Sequence, residues 1–158
     1  MRTKKFTIIV AFLCALILGA CGQTVSYPAR IHALCGLDIA GSALISSKDT
    51  HDGFHGDGAT VVQYDCTPIA DAVLRKSESW AVLPMTENLH KIMYEDGYAL
   101  AAKYGIPTVS HGRYFFVDSQ AEADTHSDAN LLARPSFNFT LVILDTDSNQ
   151  LYFFKYDT

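Results

Sequence analysis

Ten residues, DTHDGFHGDG at positions 49–58, gather side chains that could hold a metal ion or move a proton. Asp49, His51, Asp52, His55 and Asp57 form a mixed nitrogen and oxygen set that suits zinc or another borderline divalent ion. His51 and His55 stand four apart, the spacing that puts two imidazoles on one face of a helix, but Gly53, Gly56 and Gly58 make a helix unfavourable here. The loop lacks the alternating oxygens and closing glutamate of an EF-hand. No lysine follows its glycines, as a phosphate-binding loop would require. The same composition also describes a structural loop, with aspartates bonding their own backbone, glycines supplying positive φ, and Phe54 as an apolar plug. Three readings stand: a structural loop with dispensable histidines, a ligand- or partner-binding loop, and a metal site on His51, His55 and Asp57. A second polar segment, DTHSD at 124–128, echoes the first. The two either converge on one ion or are separate solvated loops.

Other catalytic arrangements are weaker. The chain has no Gly-x-Ser-x-Gly elbow, and His32, His90 and His111 have no acidic neighbour in sequence. No catalytic residue and no cofactor is assigned. The sequon Asn138-Phe139-Thr140 falls inside an apolar strand pattern and is discounted.

The first residues speak to address. MRTKK is followed by fifteen uncharged residues, FTIIVAFLCALILGA, and then by Cys21. A basic start, an apolar stretch too short for a comfortable membrane span, and small residues before a cut describe a secretory signal peptide. Leu18-Gly-Ala-Cys21 resembles the lipobox of bacterial lipoproteins. That resemblance implies removal of residues 1–20, acylation of Cys21 (palmitate is the usual kind of chain), and a lipid anchor on the extracytoplasmic face of the cell membrane. Residues 21–30 then read as the lipidated cysteine and a short tether, and 31–158 as one domain. The first twenty residues hold three of the twelve basic residues and no acid, so the remainder has nine basic against seventeen acidic, a formal charge of −8. That balance argues against nucleic acid and against a basic face on anionic lipid. With Cys14 removed and Cys21 acylated, Cys35 and Cys66 remain, and an oxidising compartment favours a disulfide between them.

The elements that must position these residues are legible in outline. Ile31–Ser47 reads as a short helix or turn followed by a strand, and ATVVQYDC (59–66) as a strand. Thr67-Pro68 opens a helix with Thr67 as N-cap, reaching to about Trp80. Thr86 caps a second helix carrying Leu89, Met93, Leu100 and Tyr104, weakened at Asp96-Gly97 and stopped by Gly105 and Pro107. GRYFFVD (112–118), FNFTLVILD (137–145) and QLYFFKYD (150–157) are strands, the last two forming a hairpin across TDSN. Helices grouped between strands predict an α+β two-layer domain: a largely antiparallel sheet of four or five strands with two helices packed on one face. The aromatic residues leave two options. Tyr114, Phe116, Tyr152, Phe154 and Tyr156 either form an exposed patch for a partner or carbohydrate, or are core, with Phe137, Phe139, Leu141 and Ile143 as a second buried layer.

The loop DTHDGFHGDG, Trp80, Leu83-Pro84, GRYFFVDS and FNFTLVILDTDSNQLYFFKYDT together resemble a group of small bacterial lipoproteins and secreted proteins, mostly of Firmicutes type, over residues 45 to 158. The resemblance implies the address and the fold and brings no catalytic residue with it. The function expected is a membrane-tethered, non-catalytic module that binds an unknown protein or small ligand. The alternative is a small metal-dependent hydrolase using the loop at 49–58.

Overall fold

The computed structural model describes residues 26–51 and 56–158. The apolar leader with Cys21, and Asp52, Gly53, Phe54 and His55 in the first loop, lie outside them. The described residues are α+β. Six strands form one antiparallel sheet: β1 (Ala43–Asp49), β2 (Gly58–Asp65), β3 (Ala81–Val82), β4 (Gly112–Asp118), β5 (Asn138–Asp145) and β6 (Gln150–Asp157), in the order β1-β2-β6-β5-β4-β3. The helices are α1 (Tyr27–Cys35), α2 (Ala70–Lys76), α3 (Glu87–Tyr94) and α4 (Leu100–Tyr104).

The expected hairpin is the centre of the sheet. β5 and β6 pair from Asp145↔Gln150 to Asn138↔Asp157, and β6 pairs in turn with β2. Side chains alternate along each strand between two apolar clusters. Phe139, Leu141, Ile143, Tyr152 and Phe154 join Leu89, Ile92 and Met93 of α3 and Leu100 and Ala101 of α4. Val142, Leu144, Leu151 and Phe153 join Ile31 of α1 and Val73 of α2. Both faces of the central strands are therefore buried, while the edge strand β1 is exposed along its length.

This corrects the expected layering. The sheet has six strands, not four or five, because the two-residue β3 adds an edge that no sequence pattern announces. The helices are divided between the two faces, not collected on one. Tyr114, Phe116, Tyr152 and Phe154 are buried, so they form no exposed patch. Phe139, Leu141 and Ile143 share their layer, because the register sets Phe116 opposite Leu141 and Phe154 opposite Leu141 from the other side. The aromatic rings there pack on one another, with Phe139 and Phe154 centroids 5.9 Å apart.

The helix boundaries moved for local reasons. Thr67–Ile69 form a 3-10 turn ahead of α2, so Thr67 is not the cap of the α-helix. Thr86 does cap α3, accepting the Leu89 N–H at 3.4 Å. The expected second helix is broken into α3 and α4 at Glu95–Ala99, where Gly97 has φ +101°. α1 takes in Tyr27–Arg30, four residues of the stretch read as tether.

Cys35 and Cys66 are free thiols, contrary to the expected bridge. Cys35 ends α1 with its Sγ 3.1 Å from the Ile31 carbonyl, while Cys66 is buried at the end of β2. Counting cysteines pairs them by elimination and carries no information on where their Cβ vectors point. Burial pushes both thiols up to about 11, away from the reactive thiolate. Non-reducing peptide mapping is expected to recover Cys35 and Cys66 as separate, unlinked peptides, with Cys35 alkylated before Cys66 in native buffer. A Cys35–Cys66 crosslinked peptide as the main species would refute this.

Candidate functional site

The first loop begins where the β1–β2 ladder runs on by one pair beyond the end of β1. The Thr50 N–H donates to the Ala59 carbonyl at 2.9 Å, and the Thr50 hydroxyl oxygen accepts the Ala59 N–H at 2.9 Å. Asp49 then closes an Asx turn, its Oδ1 accepting the His51 backbone N–H at 3.0 Å. The His51 ring lies between two carboxylates, with Nδ1 2.5 Å from Asp49 Oδ1 and Nε2 2.9 Å from Asp157 Oδ2. Lys155 pairs with that same Asp157 oxygen. Two carboxylates can only accept, so both hydrogen bonds are made together only when both ring nitrogens carry hydrogen, which favours the imidazolium. Its pKa is raised, first by the Asp49 hydrogen bond and then by Asp157, against the opposing effect of burial. Asp49 is held low, chiefly by the His51 backbone N–H.

This geometry sorts the candidates. Asp49 and His51 are brought together, and Asp57 is exposed on the returning arm of the loop; Asp52 and His55 lie outside the described residues. Among the described residues no group of three His, Cys, Asp or Glu is disposed to hold a metal. A ring whose two nitrogens are already engaged has no lone pair for a metal and no vacancy for a substrate proton. His51 is instead a clamp fastening the loop to the end of β6, a partner that the structural-loop reading did not give it. Sequence reasoning missed Asp157 and Lys155. They lie more than a hundred positions away, and only the register Gly58↔Asp157 brings them to the loop.

The second DTH reuses the same turn. Asp124 Oδ1 accepts the His126 N–H at 2.9 Å, matching Asp49 and His51. The loop then anchors on β4: Thr125 O accepts the Asp118 N–H at 2.7 Å, and His126 Nδ1 donates to Phe116 O at 2.8 Å. Both loops leave the same end of the sheet, but β6 and β5 stand between β2 and β4. That is three strand spacings, or ~14 Å, so the two turns do not share an ion.

Residues 119–136 border two openings. One, of about 410 Å³, is walled by Asp118, Glu122, Asp124 and Arg134, where the buried Asp118 carboxylate pairs with Arg134. The other, of about 310 Å³, lies between the β4 edge and His126–Asp128, with Trp80 and Phe115 in its wall. Comparison of the chain with protein-family models, curated proteins and solved structures finds no match.

The clamp has a signed pH dependence. The imidazolium contribution is complete below about 6.5, the ordinary histidine value, and is lost as pH rises through the higher folded-state value. The Asp49 contribution runs the other way, present above about 3.9 and lost as pH falls through its lowered value. The melting temperature is therefore expected to fall between pH 6 and 9 more steeply in the wild type than in His51→Ala. Parallel pH profiles in a thermal melt would refute the clamp.

Gly58 is a second requirement of the loop. It sits at φ +156°, and a Cβ there would lie 2.6 Å from the His51 backbone. Gly56, at φ +72°, is strained by substitution but meets no neighbour within 4 Å among the described residues. Gly58→Ala is expected to cost more than Gly56→Ala, which itself should cost ~1 kcal/mol. Denaturant midpoints in the reverse order would show that the close approach does not matter.

Proposed function

We propose that this chain is a lipid-anchored protein of the extracytoplasmic face of the cell membrane, and that its α+β domain is a non-catalytic binding module. The observation that carries the reading is Leu18–Cys21, placed directly after a basic start and fifteen uncharged residues. Cysteine is the residue whose thiol accepts a lipid at such a boundary. Each buried methylene of an acyl chain contributes ~0.8 kcal/mol, so more than one chain holds firmly where a single chain would exchange. The formal charge of −8 beyond residue 20 offers anionic lipid no attraction, which leaves the acyl chains as the attachment. Among the described residues no helix is long and apolar enough to cross a membrane. The resemblance to small lipoproteins points to the same address.

Binding, not catalysis, is supported by the state of the reactive groups. Both thiols are pushed up to about 11, and the one histidine of the first loop whose ring is described is saturated by Asp49 and Asp157. The openings beside β4 are concave surfaces carrying mixed polar and aromatic side chains, which suits recognition. Metabolic labelling with a fatty acid tests the anchor: wild-type protein is expected to take up label, and Cys21→Ser to take up none and keep its leader. Equal label in both proteins would overturn the reading.

A further inference from the structure

We infer that the groove between the β4 edge and His126–Asp128 binds a small organic ammonium, a ligand with N–H donors on an apolar or aromatic body. This rests on the reading of the domain as a binding module and names the site and ligand class.

The groove exists because β3 is short. Ala81 and Val82 pair with Tyr114 and Arg113, but the chain just before them turns away, the Trp80 N–H donating to Ser77 O at 2.9 Å. Further along the β4 edge the second loop arrives, with His126 Nδ1 on Phe116 O at 2.8 Å and Thr125 O on the Asp118 N–H at 2.7 Å. Between the departing chain and the arriving loop lies an opening of about 310 Å³. That volume is at the small end of ligand sites, which span roughly 300–1,000 Å³.

The lining fixes the ligand chemistry. Phe115 forms an aromatic wall, its centroid 5.6 Å from Trp80 and 5.0 Å from His126. The Phe116 carbonyl can only accept, so it takes the N–H of His126 Nδ1, and in that tautomer Nε2 is an acceptor. Asp128 is half-buried, and its Oδ2 accepts the Thr86 hydroxyl, leaving Oδ1 as a second acceptor. Among the described residues no lysine, arginine, asparagine or glutamine lines the groove, and Asp128 is its one carboxylate. Two acceptors beside aromatic rings, one of them charged and with no cation to neutralise it, favour a ligand that donates and carries positive charge. A carboxylate or phosphate would meet Asp128 with nothing to offset the repulsion. A saccharide could meet the Ser79 and Tyr114 hydroxyls of the wall but carries no positive charge to offset Asp128.

Trp80 is the only tryptophan of the chain, so its emission reports on this wall alone. The full chain in detergent micelles, at constant ionic strength, would be titrated with benzylammonium and with benzyl alcohol, benzoate and methyl glucoside. A saturable change in Trp80 emission is expected with benzylammonium, tighter than with benzyl alcohol and absent with benzoate. Asp128→Asn should weaken benzylammonium roughly tenfold, as loss of a charged hydrogen-bond partner does. The ligand series on the wild type stands even if that variant is less stable. No saturable change with benzylammonium, equal binding of benzyl alcohol, or preferential binding of the glucoside would each overturn the proposal. The fatty-acid labelling of Cys21 does not depend on the groove, so loss of either reading leaves the other in place.

Discussion

The β5–β6 hairpin is the constraint on which the rest of the structure depends. Six consecutive residues of β5, Phe139–Leu144, are buried, and Leu151–Phe154 of β6 likewise. A hairpin apolar on both faces cannot leave either one to water, so it needs cover twice. Its register is set at the turn, where Asp145 Oδ1 accepts the Asp147 N–H at 2.9 Å and Asn149 takes the left-handed conformation at φ +54°. The same turn holds β2, because the Cys66 N–H donates to the Asn149 carbonyl at 2.8 Å. A slip of one residue would exchange Phe139, Leu141 and Ile143 for Val142 and Leu144, turning each set of side chains toward the helices that pack the other face.

From that register the loop chemistry follows. With Asp145 opposite Gln150 and Gln150 opposite Asp65, the far ends of β6 and β2 meet at Asp157 and Gly58. Asp157 is thereby delivered to the loop that Asp49 has already turned, and His51 bridges them. Asp157 keeps only 19% of its side-chain surface exposed, so the carboxylate would be poorly solvated without His51 and Lys155. The attraction is local and electrostatic, yet its geometry is inherited from pairing set at Gln150, at the other end of the strand.

What could be read in the sequence was what is decided locally. The hairpin, β2 and the Thr86 cap carry their signals within a few residues: turn formers, β-branched and aromatic runs, a hydroxyl before a helix. Layer assignment is not local. In a strand buried on both faces the period of two disappears, so FNFTLVILD could not reveal that its odd and even residues meet different helices. Asp96-Gly97 announced a weak helix without deciding between a kink and the break that Gly97 makes. Cys35 and Cys66 invited pairing by number alone. In the candidate site, Asp49 and His51 were recognisable by type, but their partners Asp157 and Lys155 sit in a strand whose pattern reads only as strand.

The repeated DTH explains why metal-type residues here serve a different end. Aspartate is favoured in tight turns for the oxygen that binds its own backbone, and histidine offers two nitrogens on a short, rigid arm. Those are also the properties of a ligand set, so composition alone cannot separate the uses. Partners do. In the first loop the ring spans two carboxylates and is consumed as a clamp. In the second it spends one nitrogen on the Phe116 carbonyl, in place of a strand that β3 is too short to supply, and keeps the other. The same motif thus fastens the β1–β2 loop to the end of β6 and, on β4, leaves one ring nitrogen beside Phe115. That asymmetry is the ground on which a ligand is proposed at the β4 side of this fold.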